Sequence, residues 1–213
     1  MVLRQNPRSP YDGKAVGSAA LEQVQALKLE PGIALHFVLE RAGLETVLRY
    51  VSAGNLAQYA DSAFVSELIH WLRFTRKEAL ASLDGLYSGA SGNPQVPRWL
   101  GQMFVSNTKP QRQADADAQK LRSSSGAVVI VSTSDDRAAW VCTGQVYQRL
   151  ALELTALGLK SAFLNQPIEV ASVRGQFQSA LNLQQGLPQL LVRYGYANPL
   201  PSSLRRPVQD LLI

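Results

Sequence analysis

A single cysteine, Cys142, and only two histidines, His36 and His70, deprive this chain of 213 residues of several kinds of chemistry. One cysteine forms no intrachain disulfide, and no Cys/His cluster offers the spacing of a metal or iron–sulfur centre. His36 lies in an apolar strand-like run and His70 in a helical one, so both read as ordinary core or surface residues rather than catalysts. Long apolar runs are missing: no window approaches the roughly 18 consecutive apolar residues of a membrane span, and no membrane partner is expected. The opening residues carry no apolar stretch followed by a small-residue cleavage site, so a cytoplasmic location is expected. The glycines do not follow a strand in the spacing of a dinucleotide or P-loop fingerprint. A basic face with interleaved aromatics is also absent, which argues against a nucleic-acid partner.

What the chain does have is an apolar content of 46%, enough for a substantial core, and a net charge of +5 that suits an anionic ligand. Its organising stretch runs from Gly126 to Pro167. Ala127–Thr133 (AVVIVST) has the β-branched composition of a fully buried strand, and Ser134-Asp135-Asp136 supplies residue types that cap a helix. From there to Leu157 the sequence is apolar nearly all round, with a narrow polar stripe through Gln145, Gln148, Arg149 and Glu153. That pattern predicts a long helix buried on most sides, covered either by a helical layer or by a second subunit. Gly158 ends it, and Lys160–Gln166 returns as a strand.

Elsewhere the periodicity predicts a helix over Ser18–Leu29, a strand over Ile33–Leu39, helices around Leu44–Gln58 and Phe64–Phe74, a helix over Val170–Leu183 and a last strand over Gln189–Tyr196. From Asp84 to Arg122 the composition shifts to Gly, Ser, Pro and polar residues around an apolar cluster of Trp99, Leu100, Met103 and Phe104. An irregular stretch of this length reads as a lid inserted in a single domain spanning residues 1–213. The chain closes on Val208, Leu211, Leu212 and Ile213, an apolar end of the kind that normally docks.

Lysine and arginine are scattered among acids except at the two ends. Arg4-Gln5-Asn6-Pro7-Arg8-Ser9-Pro10-Tyr11-Asp12-Gly13 packs two guanidinium groups beside amides and a hydroxyl, and Arg205-Arg206-Pro207 delivers two more. Arginines so spaced can converge on one phosphate or anionic ring, because each offers planar paired donors. On composition alone, a frayed basic terminus is the better explanation of the first cluster.

Taken in order, these stretches resemble the nitroreductase family, and within it the Acg-like branch. The opening Arg4–Gly13 segment resembles the family's Arg-polar-Ser-x-Arg/Lys-x-Phe/Tyr motif. Glu67–Phe74 and Asp84-Gly85-Leu86 resemble the middle of the branch, and Ala156–Leu159, Asn165-Gln166-Pro167, Gly195-Tyr196 and Arg205-Arg206-Pro207 follow in the family's order. The resemblance implies an α+β fold, a mixed β-sheet flanked by helices with a long buried central helix and an inserted lid at 84–122. It implies FMN held noncovalently between two such units, NAD(P)H as electron donor, and a small-molecule acceptor such as a nitroaromatic or quinone. Carried over residue by residue, Arg4, Gln5 and Asn6 meet the ribityl-phosphate and Arg8 approaches the N1/O2 edge of the ring. Leu164, Asn165 and Gln166 fall where a backbone N–H faces N5, Arg205 and Arg206 clamp the phosphate, and Arg122 is a weaker candidate. No side-chain acid or base is required, since the flavin carries the redox chemistry.

One family element is missing: the Ser/Pro-rich loop ending in Asn-x-Gln-Pro-Trp, expected after the first helix, has no counterpart in Ala26–Gly32. Acg-like proteins resemble two fused copies of the fold, and this chain resembles the second copy. The partner is therefore expected to be either another copy of the chain or a separate N-terminal half. The alternative function is a flavin-binding or flavin-sequestering protein without turnover.

Overall fold

The computed structural model describes residues 4–183, 186–204 and 206–212. The most apolar strand, β4 (Gly126–Ser132), is buried at every position and forms the middle of the fold. It pairs on one side with β1 (Ile33–Val38) and on the other with β6 (Leu187–Gly195), and β6 pairs with β5 (Lys160–Phe163), giving the order β1-β4-β6-β5. All three pairings are antiparallel. The mixed sheet expected from the family resemblance is therefore antiparallel here; the parallel pairing described lies outside it, in a two-stranded ribbon of β2 (Leu72–Arg73) and β3 (Leu86–Tyr87).

Side chains alternate across a strand, so a strand buried at every position must be covered on both faces. Ala127, Val129 and Val131 join one core with Leu44, Val47, Leu48 and Val51 of α2 (Arg41–Ala60), Leu121 of α6 (Pro110–Arg122) and Phe177 of α9 (Ala171–Ala180). Val128 and Ile130 join another with Val146, Leu150 and Leu154 of α7 (Arg137–Ala156) and Val24 of α1 (Ser18–Gln25). The result is three layers, helices on both sides of one sheet.

The ends of α7 are set as the sequence predicts. Asp136 accepts the Ala139 N–H at 2.9 Å, and Gly158, at φ 76°, closes a paired C-terminal turn in which the Gly158 and Leu159 N–H groups donate to Thr155 and Leu154. Its burial differs from expectation. Ala139, Thr143, Val146, Leu150 and Leu154 are buried, whereas Trp140 and Val141 stay 53% and 62% exposed, so one chain covers one face of the helix and leaves the other open.

Residues 84–122 are more ordered than their composition suggests. They hold β3, a 3₁₀ turn at Gly89–Ser91, α5 (Arg98–Ser106) and α6. The polar run Gln111–Gln119 is part of α6 because Ala114, Asp117 and Leu121 form a narrow stripe at helical spacing that packs against α2. With α3 (Ser62–Trp71) and α4 (Arg76–Ser82), β2, β3 and α5 form a small cap. It is fastened by the Thr75 hydroxyl, which accepts the Glu78 N–H, by the Glu78 carboxylate, which accepts the Phe74 N–H, and by the Arg73–Asp84 ion pair at 2.6 Å. Of the apolar C-terminus, Val208 and Leu212 are exposed, while Ile213 lies outside the described residues.

Two close contacts generate predictions. A Cβ built on Gly54 of α2 would sit 2.6 Å from the backbone of Gln166, at the start of the short helix α8 (Gln166–Glu169). Gly54→Ala is expected to lower the unfolding free energy in urea by about 1–2 kcal/mol, because overpacking against backbone outweighs the ~1 kcal/mol gained from helix propensity. At the β4–α7 turn, hydrogen bonds from Trp140, Arg174 and Gln189 hold the Asp135 carboxyl down at about 2, against an ordinary 3.8. A depressed carboxyl stabilises the fold above its unfolded pKa, and that contribution disappears as pH falls from about 4 through about 2. Urea midpoints across that range are expected to drop less steeply in Asp135→Asn than in the parent chain.

Candidate functional site

Residues 4–13 form no helix or strand, yet they are tightly held. The Gln5 side chain reads the backbone of Leu200 in both directions, donating from Nε2 to the carbonyl at 2.7 Å and accepting its N–H at 3.2 Å. Asn6 pairs with the Tyr147 hydroxyl on α7, with contacts of 3.1 and 3.3 Å. The Tyr147 ring in turn lies 4.6 Å from that of Phe163 on β5. Further on, Asp12 N–H donates to Tyr196 at 2.9 Å, and Tyr11 N–H to Ser123 Oγ at 3.0 Å. Thus Gln5 and Asp12 lie against Leu200 and Tyr196, in the segment that follows the last strand.

Below this segment is a group that carried no functional assignment from the sequence. Arg193 of β6 is 1% exposed, a cation in an otherwise apolar strand. Its Nη2 donates to the carbonyls of Pro7 and Ser9 at 3.0 and 2.8 Å, and its Nη1 to Lys120 O and Ser124 Oγ at 3.3 and 3.4 Å. The Tyr11 ring covers the guanidinium at 3.9 Å. Burial lowers the Arg193 pKa and pushes the Tyr11 phenol up to about 12, so Tyr11 stays neutral and Arg193 holds its charge through neutral acceptors and a ring face. The available signal was Arg193 itself, a charge in the strand pattern QLLVRYGY, where a buried cation demands partners.

The residues chosen from sequence fall into three groups. Arg4 and Arg8 make no ion pair among the described residues; Arg4 touches Asn6 Oδ1 at 3.4 Å, and Arg8 is exposed. They are cations without a carboxylate partner on a pinned backbone. A second group makes contacts within the fold. Leu164 is buried and gives its N–H to Leu191 O at 3.0 Å, so that N–H is not presented to a ligand. Asn165 Oδ1 accepts the Leu191 N–H at 2.8 Å, and Gln166 Nε2 donates to Asp117 Oδ2 at 3.0 Å while Gln166 Oε1 is buried without a partner.

Asp117 is the centre of a network that the polar run had concealed. Its carboxylate receives Asn55, Gln113, Gln166 and Lys120, tying α2, α6 and α8 together. The third group comprises arginines with acidic partners. Arg122 binds both oxygens of Glu45 at 3.0 and 2.8 Å. Arg206 pairs with Asp84 of the cap at 3.1 Å. Arg205 lies outside the described residues.

Two cavities, of about 550 and 410 Å³, lie elsewhere. One runs along β1 and the end of β4 beside Asn182 and Leu183, and the other is an apolar recess of the cap lined by Phe64, Leu68, Trp71 and Leu86. Neither is lined by Arg4 or Arg8. Among the described residues no cluster of His, Cys, Asp and Glu could hold a metal, and no helix is long and apolar enough to cross a membrane.

No protein-family model matches the chain. A Mycobacterium tuberculosis protein provisionally named an NAD(P)H nitroreductase is 24% identical over 213 residues, covering 98% of this chain and 59% of that protein. An uncharacterised protein of the same organism is 32% identical over 118 residues, 53% of this chain and 33% of its own length. The chain therefore spans 59% of the first relative and less of the second. Among solved structures, a nitroreductase with bound FMN from Desulfitobacterium hafniense superposes with a TM-score of 0.59 at 12% identity, over 100% of this chain and 94% of the other. A nitroreductase-like family protein from Bacillus cereus gives 0.57 at 12% identity, over 99% and 91%. An iodotyrosine deiodinase bound to FMN and 3-iodo-L-tyrosine gives 0.58 at 11% identity, over 96% and 91%. The chain has the nitroreductase-like α+β fold and resembles the nitroreductase family in sequence along 98% of its length.

Proposed function

We propose that the chain is an FMN-dependent NAD(P)H oxidoreductase unit that reduces nitroaromatics, quinones or similar acceptors. The observation that carries this reading is the pair of arginines, Arg4 and Arg8, without a carboxylate partner among the described residues, on a segment fastened against the other end of a nitroreductase-like fold. Their chemistry suits an anion bearing a planar ring, since guanidinium groups grip phosphate in paired fashion and lend positive charge to an electron-rich edge. When bound, the flavin supplies hydride and electron transfer. The chain's own part is to anchor the phosphate through Arg4 and to place the Arg8 cation toward the ring. Arg206 joins only by leaving Asp84, and Arg205 completes the set carried over from the resemblance.

A second unit is part of the proposal. The exposed Trp140–Val141 face of α7 and the position of Arg4 and Arg8 outside both cavities favour a site completed by another copy of the chain or by a separate N-terminal half. Relatives longer than this chain are consistent with the latter.

One specific observation favours the alternative of flavin binding without turnover. Gly92 of the cap abuts Leu200 and Ser9, and Arg206 ties the tail to Asp84, so the cap is drawn toward the segment that carries Arg8. A flavin covered there admits no nicotinamide.

The experiment is to load the purified chain with FMN and add NADPH without oxygen. Bleaching of the flavin absorbance is the expected result; retained colour supports the alternative; no flavin uptake contradicts both. Arg8→Ala is expected to weaken FMN binding about 10- to 100-fold, the range for losing a charge-assisted contact, measured by quenching of flavin fluorescence.

A further inference from the structure

We propose that Arg193 is a positioning residue: by binding the carbonyls on both sides of Arg8, it sets the direction in which Arg8 presents its guanidinium to the anionic ligand. The two bonds from Nη2 end on Pro7 and Ser9, the neighbours of Arg8 in the chain. The bonds hold the Pro7–Arg8 peptide before Arg8 and the Ser9–Pro10 peptide one residue beyond it, which restricts the short stretch carrying Arg8, whose side chain is exposed. The second branch of the guanidinium, Nη1, is anchored on Lys120 O and Ser124 Oγ, which ties the segment to the end of α6 and the turn before β4.

Shape, more than charge, is what this position requires. All four acceptors are neutral, and no carboxylate lies within ion-pair distance of Arg193 among the described residues. A rigid planar fork reaches acceptors on two sides at once; an ammonium on a flexible stem keeps the charge but cannot span them. Tyr11 seals the arrangement from above by covering the guanidinium and directing its own hydroxyl to Pro7 O at 3.4 Å. Arg193 therefore acts on a ligand only through Arg8.

The role toward FMN rests on the function proposed above, whereas the clamp on the backbone does not, and the test separates them. Arg193→Lys retains the charge, so any loss reports geometry. Its FMN dissociation constant is expected to rise about 10-fold or more, and the Arg8→Ala/Arg193→Lys double variant to bind within about 3-fold of Arg8→Ala alone, the non-additivity of residues acting through one another. Without FMN, trypsin is expected to cut the Arg8–Ser9 bond at least about 10-fold faster in Arg193→Lys, because cleavage follows local opening. Additive losses in FMN affinity, or an unchanged cleavage rate, overturn the proposal. If the parent chain takes up no FMN, the functional reading fails by itself and the cleavage rate alone decides for or against the clamp. Should Arg193→Lys fail to fold by circular dichroism, Tyr11→Leu, which uncovers the guanidinium, is put through the same comparison with the same expected directions and the same overturning results.

Discussion

The structure depends on one buried cation. Placing a guanidinium in a sheet otherwise filled with Val, Leu and Ile is costly, because the charge loses its water. Here the cost is offset by neutral acceptors from three places: the N-terminal segment, the last turn of α6 and the turn before β4. Such a group is stable only when every partner is present. The same interaction that rescues the buried charge therefore obliges the N-terminal segment to lie where it does. A segment without helix or strand becomes part of the fold, and Arg4 and Arg8 are carried with it.

The remaining layers supply the frame. A central strand buried at every position needs two covered faces, and α2, α6 and α9 meet one while α7 and α1 meet the other. Close approach tightens the first of these layers: Gly54 lets α2 touch the backbone at Gln166, and the Asp117 carboxylate gathers donors from α2, α6 and α8. The opposite layer is thinner. It leaves Trp140 and Val141 of α7 in the open, on the helix whose Tyr147 holds Asn6. The exposed apolar face and the segment bearing Arg4 and Arg8 are thus linked through a single helix.

Much of this was legible in the residues. The run AVVIVST read as a fully buried strand from its β-branched composition, and Asp136 and Gly158 marked the ends of α7 because capping chemistry is local. Local rules failed where tertiary packing decides. The run Gln111–Gln119 looked irregular since its apolar stripe is only Ala114, Ala118 and Leu121, too narrow to see among Gln and Asp until α2 lies against it. Near-total apolarity suggested that α7 was buried on most sides, but apolarity does not say whether the cover lies in the same chain. The candidate site divided in the same way. Gln5 and Asn6 were singled out as cofactor residues, and within the chain they make contacts to Leu200 and Tyr147. Arg122 looked available because its partner, Glu45, is distant in sequence and adjacent only in space. Arg193 sat in plain view as a charge within a core strand, and its partners could not be named without the fold.

The account makes the pinned N-terminal segment the anchor for an anionic flavin. A crystal structure of the chain with FMN tests that most directly. The account predicts the phosphate or the ring edge within hydrogen-bonding distance of the Arg4 or Arg8 guanidinium, with Arg193 still bound to the carbonyls of Pro7 and Ser9. Flavin seated away from both arginines, or an N-terminal segment released from Arg193 when flavin binds, would contradict it.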